Sequence, residues 1–262
     1  MSSILIIGAT RGLGFHLLKR YSSNPSDTVY STSRSSTPPS SPSGPNIHWI
    51  PSIDLTSPSC GKDLSKALFT KEAQINTTII TAGYFATEGF TSPSWQDQQT
   101  MYTTSAIAPT MLISSLVQSS IIPENSNSKI ILVSSESGSI TLRHPQEGGG
   151  NYGHHGSKSA TNMVGKLLAL DLAPKKIAVG IVHPSFMRTE MTKGVGFDKF
   201  WDDGGALEPE EAAEILGKWV DGTFEMELTG QYWAPRGTRD IGTWDAVVGE
   251  GSGQEGPVRL PW

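Results

Sequence analysis

Short apolar runs alternate with longer segments of helical periodicity along the chain, and this alternation constrains the fold more than any other feature. The runs are rich in Ile and Val and lack polar alternation, which is typical of strands buried on both faces of a parallel sheet. Strands that alternate with helices favour right-handed crossovers and a doubly wound α/β fold. We predict a mainly parallel seven-stranded sheet flanked by helices, with strands at residues 4–7, 29–31, 48–51, 78–81, 129–134, 177–183 and 231–234.

Five intervening segments have the length and the apolar spacing of helices, namely residues 13–22, 61–74, 95–122, 157–172 and 209–220. The stretch 34–45 packs Ser, Pro and Thr together and cannot supply a core, so we predict an exposed loop between the second and third strands. A chain of 262 residues is an ordinary size for one doubly wound sheet. We therefore predict a single domain over residues 1–262.

Charge and cysteine content narrow the classes of partner and compartment. The net charge is −5, and no run of Lys or Arg is dense enough to neutralise several phosphates, which argues against a nucleic-acid surface. We expect a small-molecule partner. The single cysteine, Cys60, cannot form an intramolecular disulfide, which favours a reducing compartment. No stretch of about 18 uninterrupted apolar residues occurs, so we expect a cytoplasmic protein that does not enter a membrane.

A glycine-rich loop directly follows the first predicted strand. Gly8, Gly12 and Gly14 are spaced G-x-x-x-G-x-G and lead into a helix through Leu13. Glycine lets the backbone turn sharply and approach a pyrophosphate, and the helix N-terminus offers free N–H groups and a positive dipole end. With a strand before it and a helix after it, the loop indicates a Rossmann-type dinucleotide site, although a plain tight turn is the alternative.

Two arginines indicate which dinucleotide this site takes. The second strand is followed by Arg34, where an NAD-specific protein usually places an acidic residue that accepts the ribose hydroxyls. An arginine pairs with a 2′-phosphate instead, and Arg11 within the glycine loop favours the same cofactor. We therefore predict NADP(H), while a solvated charge that opens a polar loop is the other interpretation of Arg34.

Further motifs occur in the order and at the spacing of one family. They are the glycine loop, Ile53-Asp54-Leu55, Thr81-Ala82-Gly83, Ser134-Ser135, Ser157-Lys158 and the stretch from Pro184 to Thr189. Over essentially its whole length the chain resembles the short-chain dehydrogenase/reductase family, in particular its carbonyl-reductase-like members. This resemblance implies that the cofactor contacts Asp54, Leu55, Ala82, Gly83, Lys158, Pro184, Met187 and Thr189, with the last two at the nicotinamide carboxamide.

The catalytic centre departs from that family's pattern of an Asn, a Ser, and a Tyr four residues before a Lys. Ser135 and Lys158 match the pattern, but Ser105 stands at the Asn position and His154 at the Tyr position. Residues i and i+4 lie about 40° apart around a helix, so His154 shares a face with Lys158. Tyr152 lies about 120° from Lys158 if the helix extends that far, and points inward only if it stays in a loop. The proton donor is therefore Tyr152, His154 or neither.

Three functions are compatible with this centre. A His beside the Lys charge is disfavoured in its cationic form, which places ordinary proton donation to a carbonyl in doubt. The first hypothesis is an NADPH-dependent reductase of a bulky carbonyl or imine/iminium metabolite, since an iminium accepts hydride without a proton. Some fungal alkaloid-forming members of the family are similar in lacking the tyrosine, which implies secondary metabolism. The second is a non-redox isomerase or cyclase, and the third is a catalytically inactive binding protein.

Two further expectations concern metals and self-association. His144, His154 and His155 have no carboxylate or Cys at a matching helical spacing, so we predict no metal site. Family members that the chain resembles pair across the helices equivalent to 95–122 and 157–172, which implies a dimer or tetramer. Burial within one subunit is the alternative for the surplus apolar residues on these helices, which are Met111, Leu112, Leu116, Leu167 and Leu168.

Overall fold

One eight-stranded sheet organises the chain in the computed structural model, which describes residues 2–262. The strands are β1 Ser3–Ile7, β2 Thr28–Thr32, β3 Ile47–Ile50, β4 Thr77–Ile80, β5 Ser128–Val133, β6 Ile177–Val182, β7 Tyr232–Ala234 and β8 Val258–Arg259. Their order is β3-β2-β1-β4-β5-β6-β7-β8, and only the β7–β8 pair is antiparallel. The doubly wound α/β fold is confirmed, but the count of seven strands is too low by one. β8 has two residues, which is too short to leave a periodic signal.

The five predicted helical segments are present with differences at their ends, and two short helices of five residues each, Glu190–Gly194 and Trp244–Val248, were not predicted. They are α1 Gly12–Ser22, α2 Cys60–Phe69, α3 Trp95–Tyr102, α4 Ala108–Gln118, α5 Tyr152–Leu172, α6 Glu190–Gly194, α7 Pro209–Gly222 and α8 Trp244–Val248. The predicted helix 95–122 is divided by a π-helical turn, Thr103–Ile107, between α3 and α4. α5 begins five residues before the predicted position, so Tyr152 is its first residue. None of the described helices is long and apolar enough to cross a membrane.

Alternate side chains of the strands supply two cores, one on each face of the sheet. Leu5 and Ile7 of β1 belong to the core beneath α2, α4 and α5, whereas Ile4 and Ile6 belong to the core beneath α1 and α7. This division follows from the two-residue period of a strand, whose successive side chains point to opposite faces. A smaller apolar cluster that includes Tyr232 and Leu260 joins the C-terminal segment to the sheet.

The apolar residues assigned to self-association separate into two groups. Leu112, Leu116 and Leu168 are buried in the core of this chain, so assigning them to an interface was wrong. Met111 and Leu167 are 43% and 52% exposed, and they remain available on the outer faces of α4 and α5. Neighbouring positions on one helix differ in exposure because only one face of each helix meets the sheet.

The parallel strands bring their carboxyl ends to one edge of the sheet. The glycine loop follows β1, the segment that contains Ala82 follows β4, Ser135 follows β5, and Pro184 follows β6. Open α/β sheets bind ligands at this edge, so the fold gathers most of the predicted site residues at a single cleft.

Candidate active site

The glycine loop is shaped by close backbone packing. Gly8 has a φ of +96°, and a Cβ at this position would lie 2.7 Å from the backbone nitrogen of Ala82. A Cβ at Gly14 would lie 2.3 Å from the carbonyl oxygen of Gly8. Side chains are therefore excluded from both positions. No side chain caps the N-terminus of α1 within residues 2–262, and its first turn carries no acid, so its N–H groups suit an anion.

The two predicted phosphate ligands lie in the glycine loop, at Arg11, and directly after β2, at Arg34. Arg11 and Arg34 are both exposed, and neither guanidinium is ion-paired with any residue of the described chain. Asp54 Oδ1 accepts hydrogen bonds of 2.9 Å from both the backbone nitrogen and the hydroxyl of Thr56. The backbone hydrogen bond is the largest cause that lowers the pKa of Asp54, and Arg34 adds to it. Because neither arginine has a carboxylate partner among the described residues, both guanidinium groups are available to a doubly charged group.

The segment after β6 closes over the glycine loop. Thr189 Cγ2 lies 3.6 Å from the place that a Cβ on Gly12 would occupy. Met187 pairs with Leu207 in an isolated parallel bridge, which fixes the course of the backbone before Thr189. On the other side of the cleft, a Cβ on Gly83 would meet nothing within 4 Å. Gly83 and Thr189 thus lie where the carboxyl ends of β4 and β6 meet the glycine loop, the position at which open α/β sheets bind ligands.

Two predicted cofactor residues differ from the others because their side chains are buried. Leu13 and Leu55 both lie in the apolar cores, at 6% exposure each. Only their backbone groups are therefore available to a ligand.

Lys158 and Ser135 lie at the carboxyl end of β5. Lys158 Nζ donates a hydrogen bond of 3.0 Å to the carbonyl oxygen of Val133, and burial lowers the pKa of Lys158 to about 8. The hydroxyl of Ser135 accepts a hydrogen bond from the backbone nitrogen of Ser137, and its carbonyl oxygen accepts one from the hydroxyl of Tyr232. The predicted proximity of Ser135 and Lys158 is thus present.

His154 lies one helical turn before Lys158 and is held in its neutral form. Its ring packs against that of Phe85, with 4.1 Å between ring centroids and the planes tilted by 31°. Burial, followed by the charge of Lys158, lowers the pKa of His154 to about 3. The Nδ1 atom is buried and has no hydrogen-bond partner among the described residues. An imidazole in this environment keeps its single N–H but lacks the acidic proton of an imidazolium at neutral pH.

Tyr152 lies at the surface, in the first turn of α5. It is the first residue of α5 and is 43% exposed. Its hydroxyl oxygen lies 3.8 Å from the place that a Cβ on Gly149 would occupy, and forms no hydrogen bond within residues 2–262. The structure therefore brings Ser135, His154 and Lys158 to one region and leaves Tyr152 at the surface.

Ser105 occupies the π-helical turn and leaves space beside it. It is buried, and its hydroxyl has no hydrogen-bond partner in the described part of the chain. A cavity of about 10 Å³ lies against Ser105, Ala82, Val133 and Thr161. This volume corresponds to roughly one water molecule. A serine is shorter than the asparagine of the family pattern, which accounts for the space.

The other two predicted histidines are engaged with backbone groups. His144 Nδ1 accepts a hydrogen bond of 3.3 Å from the nitrogen of Gln146, and His155 Nδ1 donates one of 3.0 Å to the oxygen of Asn151. Both side chains therefore stabilise the local course of the loop that precedes α5.

Ser185 has a strained backbone, and its replacement by glycine is expected to stabilise the protein. It is buried and has a φ of 82°, in the left-handed region that favours glycine. Relief of about 1–2 kcal/mol of strain outweighs the roughly 0.4–1 kcal/mol that glycine adds to the entropy of the unfolded chain. Urea denaturation should show a higher free energy of unfolding for Ser185→Gly. A lower value would contradict this account of the backbone.

Glu88 is a site residue that the sequence did not reveal. Its carboxylate accepts hydrogen bonds from the backbone nitrogens of Ser94 and Gly153 and from Gln98 Nε2, at 3.0, 2.6 and 2.9 Å. It therefore holds the N-termini of α3 and α5, and with the latter the position of His154. These partners are up to 65 residues apart, so no local motif connects them.

The role of Glu88 predicts a pH-dependent loss of stability. Burial raises its pKa, but the hydrogen bonds from Gln98, Ser94 and Gly153 together outweigh burial and lower it. The carboxylate therefore stabilises the fold above its unfolded-state pKa, and this stabilisation is lost as the pH falls through the lower, folded-state pKa. Glu88→Ala should lower the free energy of unfolding by about 1–2 kcal/mol at neutral pH, and the difference should shrink in acid. Glu250→Ala, at an exposed position, is the control.

Comparisons with known proteins agree with this geometry. A family model described as short chain dehydrogenase matches residues 2–199. The 1-hydroxy-2-glutathionyl-2-methyl-3-butene dehydrogenase of Rhodococcus sp. (strain AD45) is 25% identical over 238 residues, which cover 91% of this chain and 98% of that one. The crystal structure of NADPH-bound carbonyl reductase from chicken fatty liver is similar with a TM-score of 0.74 at 22% identity, covering 89% of this chain and 96% of that chain. Carbonyl reductase Sniffer of D. melanogaster has a TM-score of 0.70 at 22% identity, with coverages of 92% and 97%.

Proposed function

The chain belongs to the short-chain dehydrogenase/reductase family and is an oxidoreductase of that family, and on this premise we propose that it is an NADPH-dependent reductase of a bulky carbonyl or imine/iminium metabolite. The observation that carries the choice of substrate is the neutral His154 at the position of the family's acid. We further propose that the enzyme works in the cytoplasm, in secondary metabolism.

The glycine loop and the two free arginines support NADPH as the cofactor. The N-terminus of α1 would hold the pyrophosphate, Arg11 and Arg34 would pair with the 2′-phosphate, and Lys158 would hold the nicotinamide ribose. Bound NADPH would supply a hydride. The carbonyl reductase from chicken fatty liver, which shares this fold, was solved with NADPH bound.

The electrostatics of the centre favour a substrate that needs no proton at the reacting atom. Lys158 remains largely protonated at neutral pH because its pKa is about 8. Its charge helps to keep His154 neutral, so the imidazole can accept a hydrogen bond but holds no acidic proton. An iminium carbon accepts hydride and yields a neutral amine without protonation, so it matches this centre better than a ketone does.

Aromatic side chains at the cleft support a bulky substrate. Phe85 packs against His154 and meets the edge of Phe197, with centroids 5.5 Å apart, and Phe197 in turn meets the edge of Phe200. Phe85 lies in the loop after β4, His154 lies in α5, and Phe197 and Phe200 lie in the segment after α6. Aromatic faces attract cations as well as apolar groups, which again suits an iminium.

The test offers the protein NADPH and a panel of bulky carbonyl compounds and cyclic iminium ions. Consumption of NADPH is measured as the loss of absorbance of the reduced nicotinamide. We expect oxidation of NADPH with iminium ions, and slower or no oxidation with ketones of the same shape. Binding of NADPH without its consumption by any compound would oppose the proposal and favour a non-redox isomerase or cyclase, to which the neutral centre is also suited. Failure to bind NADPH would favour the inactive binding protein.

We also propose that a second copy of this chain covers the outer face of α4 and α5. Exposed apolar side chains lie there, including Met111 on α4 and Met163, Leu167 and Leu170 on α5. The last three recur at helical spacing, so they form one continuous stripe. A two-fold axis would pair this stripe with the same stripe of the partner.

Replacement of Met163 and Leu167 together by glutamate should abolish self-association, because four buried carboxylates would face one another in a two-fold pair. Light scattering at micromolar concentration should give a dimer or tetramer mass for the parent chain and a monomer mass for the variant. Phe69→Glu, at an exposed apolar residue on α2, is the control and should leave the mass unchanged. A monomer mass for the parent chain would contradict the proposal.

A further inference from the structure

A buried histidine joins the ends of two strands to the C-terminal part of the chain. His183 follows β6, and its Nδ1 accepts a hydrogen bond of 3.0 Å from the backbone nitrogen of Glu136, the residue after Ser135. Its Nε2 lies 2.9 Å from Oδ2 of Asp240. The side chains of His183 and Asp240 are 6% and 0% exposed.

Asp240 also holds the segment that passes over the glycine loop. Its Oδ2 accepts a second hydrogen bond of 2.6 Å from the backbone nitrogen of Phe186. Arg236 lies 3.8 Å from the other carboxylate oxygen, and its Nη1 donates a hydrogen bond of 2.8 Å to the carbonyl oxygen of Gly205. The C-terminal segment 236–240 therefore contacts both ends of the segment 186–205.

We propose that Asp240 and His183 are positioning residues that fix Ser135 on one side and the segment bearing Met187 and Thr189 on the other. The inference rests on the proposed function, because both residues act through groups that would meet substrate and cofactor. It does not follow from the family model, which ends at residue 199, whereas Asp240 lies 41 residues further along.

The hydrogen bonds assign the proton of the histidine. Because the Glu136 N–H donates to Nδ1, that atom holds no proton, and the proton on Nε2 is donated to Asp240. The opposite tautomer would turn an N–H toward the N–H of Glu136. Burial lowers the pKa of His183 and the charge of Asp240 raises it, with a net rise, but a proton on Nδ1 would face the N–H of Glu136, so the geometry assigns a neutral histidine with a fixed tautomer. This histidine transmits the position of Asp240 to the backbone beside Ser135.

Replacement of the buried Asp240 carboxylate by an amide separates the effect of its hydrogen bonds from the effect of its charge. Oδ2 accepts both hydrogen bonds, while Oδ1 has no hydrogen-bond partner among residues 2–262. In Asp240→Asn the amide oxygen should occupy the position of Oδ2. The reverse orientation would direct the amide NH₂ at two donors, the Nε2–H of His183 and the backbone N–H of Phe186. Asparagine should therefore keep both hydrogen bonds, whereas alanine removes them.

Variants of both residues test the proposal. We expect Asp240→Ala to weaken NADPH binding and to lower kcat, each by about tenfold or more, since small misplacements of reacting groups have effects of this size. Asp240→Asn should stay within about threefold of the parent in both quantities. His183→Phe removes both the link to Glu136 and the hydrogen bond from Nε2 to Asp240, but leaves Asp240 its hydrogen bond from Phe186. We therefore expect kcat to fall by about tenfold and the Kd for NADPH to rise less than in Asp240→Ala. Tyr21→Phe, which removes the hydrogen bond to Asp221 at the opposite edge of the sheet, should change neither.

Two measurements keep the test independent of turnover. In the parent protein, nitrogen NMR of His183 should show a bare Nδ1 and a protonated Nε2. Amide exchange at Glu136 and Phe186 should accelerate in Asp240→Ala and not in Asp240→Asn. A proton on Nδ1, or equal behaviour of the alanine and asparagine variants, would overturn the proposal even if a substrate is found. If these results hold and no substrate is reduced, the proposed function fails and the positioning of Ser135 and Phe186 stands.

Discussion

Ketone reduction is expected to rise by about 10²–10⁴ when His154 is replaced by tyrosine, which is the usual contribution of a general acid. The substituted phenol would lie one turn before Lys158, whose positive charge lowers the pKa of a neighbouring phenol. Ser135 is already in place at the end of β5. The variant therefore supplies the acid that the centre lacks for carbonyl chemistry, while Ser105 remains at the Asn position.

His154→Phe is the matched control for this substitution, because it offers an aromatic ring to Phe85 but no proton. Rates of ketone reduction should be measured for both variants and for the parent at saturating NADPH. Iminium reduction should stay within about tenfold in all three, since that reaction requires no acid. Equal ketone rates for the tyrosine and phenylalanine variants would show that the missing acid does not limit the parent enzyme.

Arg34→Asp is expected to remove most of a strong preference for NADPH over NADH. A charge-assisted hydrogen bond contributes about 1.5–3 kcal/mol, which corresponds to roughly 10- to 150-fold in affinity. The aspartate would both lose this interaction and repel the 2′-phosphate, while the ribose hydroxyls of NADH would gain an acceptor. Calorimetry should therefore show NADPH binding weakened by about two orders of magnitude, and NADH binding unchanged or tighter.

Arg259→Asp provides the control for charge alone. Arg259 is exposed on β8, at the opposite edge of the sheet from β3, so the same change in net charge occurs far from the glycine loop. Its affinities for both nucleotides should match those of the parent. Equal dissociation constants of the parent for NADPH and NADH would refute the assignment of Arg11 and Arg34 to the 2′-phosphate.

Seven of the eight strands and the long helices could be predicted from the sequence, because each of those strands is a short apolar run and each long helix is periodic. The glycine loop was recognisable for the same local reason, since its three glycines lie within seven residues. The helical period also placed His154 and Lys158 on one face, and the structure agrees. Features that depend on local spacing were thus accessible without coordinates.

Features that depend on distant contacts were not accessible. Glu88 and Gly153 are 65 residues apart, and His183 and Asp240 are 57 residues apart. No periodicity predicts that a loop after β4 holds the start of α5, or that a C-terminal carboxylate meets the end of β6. The low pKa of His154 likewise results from burial against Phe85, a residue 69 positions earlier in the chain.

The most direct test of a reductase that works without a side-chain acid is the transfer of deuterium to a cyclic iminium ion from NADPH that carries deuterium at both C4 positions. The account predicts one deuterium at the former iminium carbon of the amine product. It also predicts turnover within about tenfold of the parent for the double variant Tyr152→Phe, His154→Ala. Product without deuterium, or a loss of about 10² or more in the double variant, would contradict it.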